Sequence, residues 1–272
     1  MSIAQHAQAL MPVFVTAPTA RNGVTLIQRL LNSTRQIIVY GENLTLMSTL
    51  PSSVHSNVFF FNTAGAELKE SRERFLSGDS EYWTSNLWPD VEAFMLQLFD
   101  AFYRGVTLYD ESSKRDGFQR WGIKTPMDSP QMIARMRSLM PRARFVFIYR
   151  DPFEVLRSAK ARNFVTDLHS VREYTYKWAR HTNEVLADDN GTLLVPHHEL
   201  VESPAQWIDE LERFTGVRGI DRSVMERRIN TFGDEGYVDP TPLTNDEEAV
   251  IREVLTMCSD DVRSAFPACM HP

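Results

Sequence analysis

PVFVTAPTARNGVTLIQRLL, Pro12 to Leu31, reads as a strand, a loop and a helix in immediate succession. Val13 to Val15 form a short apolar strand, Pro18 to Gly23 the loop, and an amphipathic helix follows at once. The first backbone N–H groups of a helix have no partner within it, and the helix dipole favours negative charge there, so this layout predicts an anion site. Nucleoside-triphosphatase loops of similar layout end in Gly-Lys-Ser/Thr, with lysine on the outer phosphates and the hydroxyl on magnesium. Here the run is Arg21-Asn22-Gly23-Val24-Thr25, with no lysine, which reads as a phosphate cradle not built to hydrolyse ATP. A strand–loop–helix with one glycine is equally the pattern of an ordinary βα turn. A second segment tips the balance.

That segment is RFVFIYRDPFEVLRSAKAR, Arg144 to Arg162. Phe145 to Tyr149 is a continuous apolar run of the kind found in a buried parallel strand. It ends in Arg150. Asp151 then suits the N-cap of a helix, Pro152 its first position, and Glu154 the acid of its first turn. An arginine at the carboxyl end of a strand stands where open α/β sheets bind ligands. The rival reading is that Arg150 pairs with a neighbouring carboxylate, Asp151 or Glu154.

Together these segments resemble the sulfotransferases that use 3′-phosphoadenosine 5′-phosphosulfate (PAPS). In that family a strand followed by Arg-Ser-Gly-Thr-Thr-Leu holds the 5′-phosphosulfate, and a later strand ends in arginine, with a serine eight residues on completing the 3′-phosphate site. This chain has Arg21-Asn22-Gly23-Val24-Thr25-Leu26, then Arg150 with Ser158 at that spacing. Between them WGIKTP, Trp121 to Pro126, is similar to the family's Lys-Thr-Pro segment. LVPHHELVESPAQWIDELERFTGV, Leu194 to Val217, resembles its late strand, Tyr-Glu-x-Leu element and following helix. The resemblance implies an α/β fold, a mostly parallel central sheet flanked by helices on both faces in a P-loop-like sulfotransferase architecture. It also implies PAPS as co-substrate, 3′-phosphoadenosine 5′-phosphate (PAP) as product, and no metal. The departures are Asn22 for serine, Val24 for threonine, and Pro18 and Ala20 where glycine and proline are common. Most donors of such a cradle are backbone N–H groups, so Val24 removes one hydroxyl only, and the Asn22 amide can still donate. His197 stands where the family commonly has tyrosine, and no role carries over to it.

The resemblance implies roles for the remaining site residues. Lys124 would stabilise the bridging and sulfuryl oxygens, and Arg150 with Ser158 would hold the 3′-phosphate. Ser158 lies about 10 Å along its helix at ~1.5 Å per residue, so a phosphate shared with Arg150 must lie on the helix flank. Glu42, in a Gly-Glu segment placed as in some tyrosine- and carbohydrate-directed members, is the expected base for the acceptor hydroxyl. An apolar acceptor beside it would raise its pKa. His55, in the Ser-rich PSSVHSN stretch, is the second candidate, and a helix-capping role is the competing reading of Glu42. Phe59, Phe60, Phe61, Tyr82, Trp83 and Trp88 offer aromatic surface for a carbohydrate, phenolic or lipid acceptor, or simply core. Asp110 to Asp116 reads as a solvated loop, and Arg227 to Gly233 as a weak match to the loop that closes over the nucleotide. His197-His198-Glu199 is the nearest approach to a metal cluster, but neighbours on a strand point to opposite faces.

Composition fits a single domain over residues 1–272, with 43% hydrophobic residues for a core. A net charge of −7 argues against non-specific nucleic-acid binding, so Arg21, Lys124 and Arg150 must supply positive charge locally. No run approaches the ~18 apolar residues of a membrane span. The first residues lack a signal peptide's basic and apolar regions. Cys258 and Cys269 read as reduced thiols, and the sequons at Asn32, Asn43 and Asn190 as chance, which points to the cytoplasm. Strands are expected at 13–17, 36–40, 144–149 and 192–196, with shorter ones near 57–61, 106–109 and 121–124. Helices are expected at 24–33, 89–104, 130–140, 152–162, 169–188, 204–215 and 245–257. The expected activity is sulfuryl transfer to a hydroxyl of a small-molecule acceptor. A non-catalytic nucleotide-binding or scaffold protein and a small-molecule kinase on the same sheet are the rival readings, and the sequence sets no oligomeric state.

Overall fold

Alternation along the strands divides the interior in two. Val13, Val15 and Ala17 face one side of the sheet with Val146, Ile148 and Val195, while Phe14, Phe145, Phe147 and Trp121 face the other. The computed structural model describes residues 3–79, 87, 88, 90–126, 130–187, 191–226, 238–260 and 262. Its strands are β1 (Val13–Ala17), β2 (Ile37–Tyr40), β3 (Arg120–Pro126), β4 (Arg144–Tyr149) and β5 (Leu193–Pro196). They form one parallel sheet in the order β2-β3-β1-β4-β5. All five β1 residues are buried, as the centre of a sheet covered on both faces requires. The expected α/β architecture is the observed one.

The helices among the described residues are α1 (Ile3–Ala9), α2 (Val24–Ser33), α3 (Leu50–Leu76), α4 (Val91–Arg115), α5 (Pro130–Leu139), α6 (Pro152–Lys160), α7 (Leu168–Leu186), α8 (His197–Glu202), α9 (Pro204–Thr215) and α10 (Asn245–Leu255). α2, α8 and α9 pack on the branched face through Ile27, Leu30, Leu200, Ile208 and Leu211. α3 to α7 and α10 pack on the aromatic face, where Met132, Ile133, Met136, Leu139 and Met140 form the expected core stripe. The connection leaving β1 therefore goes to one face while those leaving β3 and β4 go to the other. A crevice opens where connections diverge in this way, at the carboxyl ends of the strands.

β1 and β3 approach closely because of Gly122. A Cβ there would lie 2.2 Å from the Val13 carbonyl oxygen, so only glycine permits the pairing of Val13 with Gly122.

Several expectations are corrected. Residues 57–61 lie inside α3 and 106–109 inside α4, and neither is a strand. Short apolar runs do not separate strand from buried helix by pattern alone, and Phe59, at 70% exposure, faces solvent from the helix. Asp110 to Arg115 is the end of α4 rather than a loop, with Asp110 buried and bonded by Lys114 at 2.6 Å. His55 is exposed on α3, and the Ser-rich stretch belongs to that helix. His197 to Glu199 open α8 instead of continuing a strand. Among the described residues no three His, Cys, Asp or Glu side chains are grouped to hold a metal ion. Tyr82, Trp83, Cys269, Asn190 and Arg227 to Gly233 lie outside the described residues.

Candidate active site

The loop from Pro18 to Gly23 is held from behind by its own carbonyl groups. His181 Nδ1 bonds the Pro18 oxygen at 2.9 Å, Asn22 Nδ2 the Thr19 oxygen at 2.9 Å, and the Tyr174 hydroxyl the Ala20 oxygen at 2.9 Å. Peptide planarity sets each following N–H opposite its carbonyl. The N–H groups of Thr19 and Arg21, which follow the two carbonyls held by His181 and Tyr174, consequently turn away from α7. Arg21 at φ 70° and Gly23 at φ 105° are both left-handed, and such reversals curl successive N–H groups into an anion-binding concavity. Gly23 is needed twice over, for its φ and for space: a Cβ would lie 2.9 Å from His197 Cδ2 and 3.0 Å from Ile148 Cδ1. Gly23 is also the N-cap of α2 and supplies no side-chain cap, so the helix presents its first N–H groups to the crevice.

Asn22 is fully buried and works inside the protein. Its Nδ2 is spent on Thr19, and its Oδ1 accepts from the Arg150 backbone N–H at 3.0 Å and from Trp178 Nε1 at 3.3 Å. The residue thus ties the loop to the end of β4 and to α7, and its amide is not turned to the crevice as the sequence reading allowed. Val24 is buried on the branched face, and Leu26 packs against the same cluster.

The remaining site residues fall into two groups on either side of the loop. On the β3 side Lys124 Nζ donates to Thr25 Oγ1 at 3.3 Å and lies 3.7 Å from Glu42 Oε1. The Lys124 side chain is 18% exposed and that of Glu42 49%, so the ammonium sits inside the crevice and the carboxylate at its rim. On the β4 side Arg21 Nε donates to Ser158 Oγ at 3.0 Å, which leaves the serine O–H able to donate onward. Arg150 Nε pairs with Glu154 at 2.6 Å, as the rival reading of that arginine anticipated, and Asp151 caps α6 by accepting from Phe153 and Glu154 N–H groups.

Beneath the loop, Thr16 and Thr125 are register partners on β1 and β3. Both are fully buried, and neither hydroxyl has a hydrogen-bond partner among the described residues. Unmet buried hydroxyls are uncommon in native folds.

The electrostatics favour neutral rings behind the cradle. Burial pushes the His197 imidazole down to about 4, assisted by the Arg150 guanidinium. Burial also lowers His181, so its Nδ1 is the protonated donor to Pro18 and Nε2 keeps its lone pair. Tyr174 is pushed up to about 12, again by burial, and remains a donor. Sequence reasoning missed Tyr174, Trp178 and His181. Their spacing on one stripe of α7, with a polar atom on each large ring, was the available signal.

Compared with known proteins, the chain is similar to several solved structures. The sulfotransferase domain of the curacin biosynthetic pathway shares 13% identity, with 97% of this chain and 98% of that one covered at a TM-score of 0.51. The sulfotransferase domain of the Synechococcus PCC 7002 olefin synthase shares 16%, covering 90% and 95% at 0.47. A sulfotransferase from Alicyclobacillus acidocaldarius shares 14%, covering 97% of each chain at 0.47. No curated protein sequence matches. The family model described as "Sulfotransferase family" matches residues 12–221, a span containing every residue of the crevice described above, and the chain belongs to that family.

Proposed function

We propose that this protein transfers a sulfuryl group from PAPS to a hydroxyl of a small-molecule acceptor and releases PAP. The observation that carries this reading is the cradle itself: three loop carbonyls tied back, two left-handed residues in the loop, Lys124 on one flank and Arg21 with Arg150 on the other. The loop from Arg21 to Leu26 and the start of α2 would receive the 5′-phosphosulfate, and Arg21, Ser158 and Arg150 the 3′-phosphate.

PAPS supplies the sulfuryl group, whose bond to the 5′-phosphate oxygen breaks as a bond from sulfur to the acceptor oxygen forms. The protein's part is positioning and charge stabilisation. Lys124 Nζ, half-buried beside the loop, offsets charge growing on the leaving oxygen. Glu42, 3.7 Å from Lys124, takes the acceptor proton at the rim, where the hydroxyl enters. Thr25 fixes the ammonium between them.

The test is calorimetric titration with PAP beside AMP and ATP without metal. Micromolar PAP binding and a clear loss for AMP are expected. Equal affinity for PAP and AMP would remove the 3′-phosphate site and with it this reading. Given binding, Lys124→Ala and Glu42→Gln are expected to lower turnover while leaving PAP affinity nearly unchanged.

A further inference from the structure

Along α7, on the side of that helix that anchors the phosphate loop, lies a cavity of about 560 Å³. Its size falls within the ~300–1,000 Å³ of small-molecule sites. Tyr174 and His181, which hold the Ala20 and Pro18 carbonyls, form part of its wall. Lys124, Thr25 and Glu42 are not among its lining residues, so the two rings stand between the cavity and the reacting groups. A molecule held here cannot receive the sulfuryl group. It can, however, touch the two side chains that shape the cradle.

The wall offers ring surface, positive charge and an acceptor. Phe164 and Tyr176 supply the rings, 46% and 49% exposed. Lys177 is half-buried and makes no hydrogen bond or ion pair among the described residues, whereas Arg180 is committed to Glu184 at 2.8 Å. Lys177 is also close enough to join burial in keeping the His181 ring neutral, so the two side chains face the same space. His181 is only 7% exposed, and with Nδ1 given to the Pro18 oxygen at 2.9 Å its Nε2 is left as an acceptor. An unpaired ammonium, an acceptor nitrogen and two rings are complementary to a flat aromatic acid with a donor on its ring.

We propose that the α7 cavity is an effector site for aromatic carboxylic acids with a ring N–H or O–H donor, and that its ligand tightens nucleotide binding through His181 and Tyr174. The carboxylate sits on Lys177, the ring on Phe164 and Tyr176, and the donor on His181 Nε2. A ligand shifts a protein only by binding one state better than another. Here the difference lies in the imidazole. A donor can meet Nε2 of a neutral ring only while the proton is on Nδ1, and that is the tautomer that ties back the Pro18 carbonyl. Packing on the Tyr174 ring likewise holds its hydroxyl on the Ala20 oxygen. Binding behind the loop therefore favours the loop shape that cradles an anion, and by linkage the nucleotide favours the effector by the same factor. The effector role rests on the sulfotransferase reading, whereas the ligand site itself does not.

The experiment is calorimetric titration with indole-3-acetate, which has a ring N–H and a carboxylate but no hydroxyl to accept a sulfuryl group. The controls are 3-methylindole, the same body without its carboxylate, and 1-methylindole-3-acetate, which lacks the N–H. Indole-3-acetate is expected to bind about tenfold tighter or more than 3-methylindole, and about threefold tighter or more than the N-methyl acid. Lys177→Met should abolish the first advantage and leave PAP affinity in the absence of the acid unchanged. On protein saturated with indole-3-acetate, PAP should bind about fivefold tighter or more, and saturating PAP should tighten the acid by the same factor. Equal affinities for the acid and 3-methylindole, binding of neither, or acid binding undiminished in Lys177→Met would overturn the site. Lys177-dependent binding with PAP affinity unchanged would overturn the effector role. If PAP itself does not bind, the sulfotransferase reading falls and the effector role with it, while the Lys177 dependence of the acid still decides the cavity.

Discussion

Arg150 donates through Nε to Glu154 at 2.6 Å, so any anion that recruits it must displace a carboxylate that is itself half exposed. An exposed pair of this kind contributes roughly 0–1 kcal/mol. Glu154→Gln should therefore tighten PAP binding by up to about fivefold. Arg150→Ala should weaken it by about 1.5–3 kcal/mol, the worth of a charged hydrogen bond. Titration calorimetry on both variants checks the pair, and an Arg150→Ala protein with wild-type affinity would remove the arginine from the site. The sequence carried Arg150 and Ser158 through their spacing and Lys124 through its motif. It could not carry Asn22, because an amide reads alike whether it faces a ligand or the interior. Tyr174 and His181 shared a visible stripe on α7, but their partners are backbone carbonyls, which no side-chain pattern marks.

α8 starts directly at the end of β5, and that junction places His197 against Gly23 beneath the cradle. The imidazole is neutral there, with its pKa pushed from 6.5 to about 4. As pH falls the unfolded chain takes up this proton first, so stability is full above pH 6.5 and is lost on the way down to about 4. His181, also lowered by burial, adds with the same sign. The full His197 contribution is on the order of 3 kcal/mol. Urea midpoints of wild type and His197→Gln should therefore converge between pH 7 and 4.5, and a constant gap would mean that the ring is not held neutral. Between β1 and β3 the constraint is steric. Gly122→Ala drives a methyl against the Val13 carbonyl and should cost about 2–3 kcal/mol or more in the same assay. Elements with chemical signals were legible: Asp151 and Pro152 open α6, as their order in the sequence implied. α3 carries Pro51 in its first turn but no capping side chain beside it. It follows a π-helical turn at Thr45–Thr49 and has no side-chain cap, so its aromatic run passed for a strand.

The two cores lie on opposite faces of the sheet, and the phosphate loop belongs to both. Val24 and Ile27, just after the loop, are in the branched core, while Trp178, bonded to Asn22, is in the aromatic one. An anion that fixes the loop therefore braces both cores at once. PAP at about 100 times its dissociation constant adds about 2.7 kcal/mol if it binds only the folded state. For a chain of this size that corresponds to a rise in Tm of about 5–10 °C. Because the loop spans both cores, the whole unfolding transition should move as one step, as a single domain over residues 1–272 requires. Scanning calorimetry with and without PAP reads this directly, and Arg150→Ala at the same PAP concentration should show a smaller shift. Two transitions of which only one responds would mean that the faces unfold independently and that the loop is anchored to one of them alone.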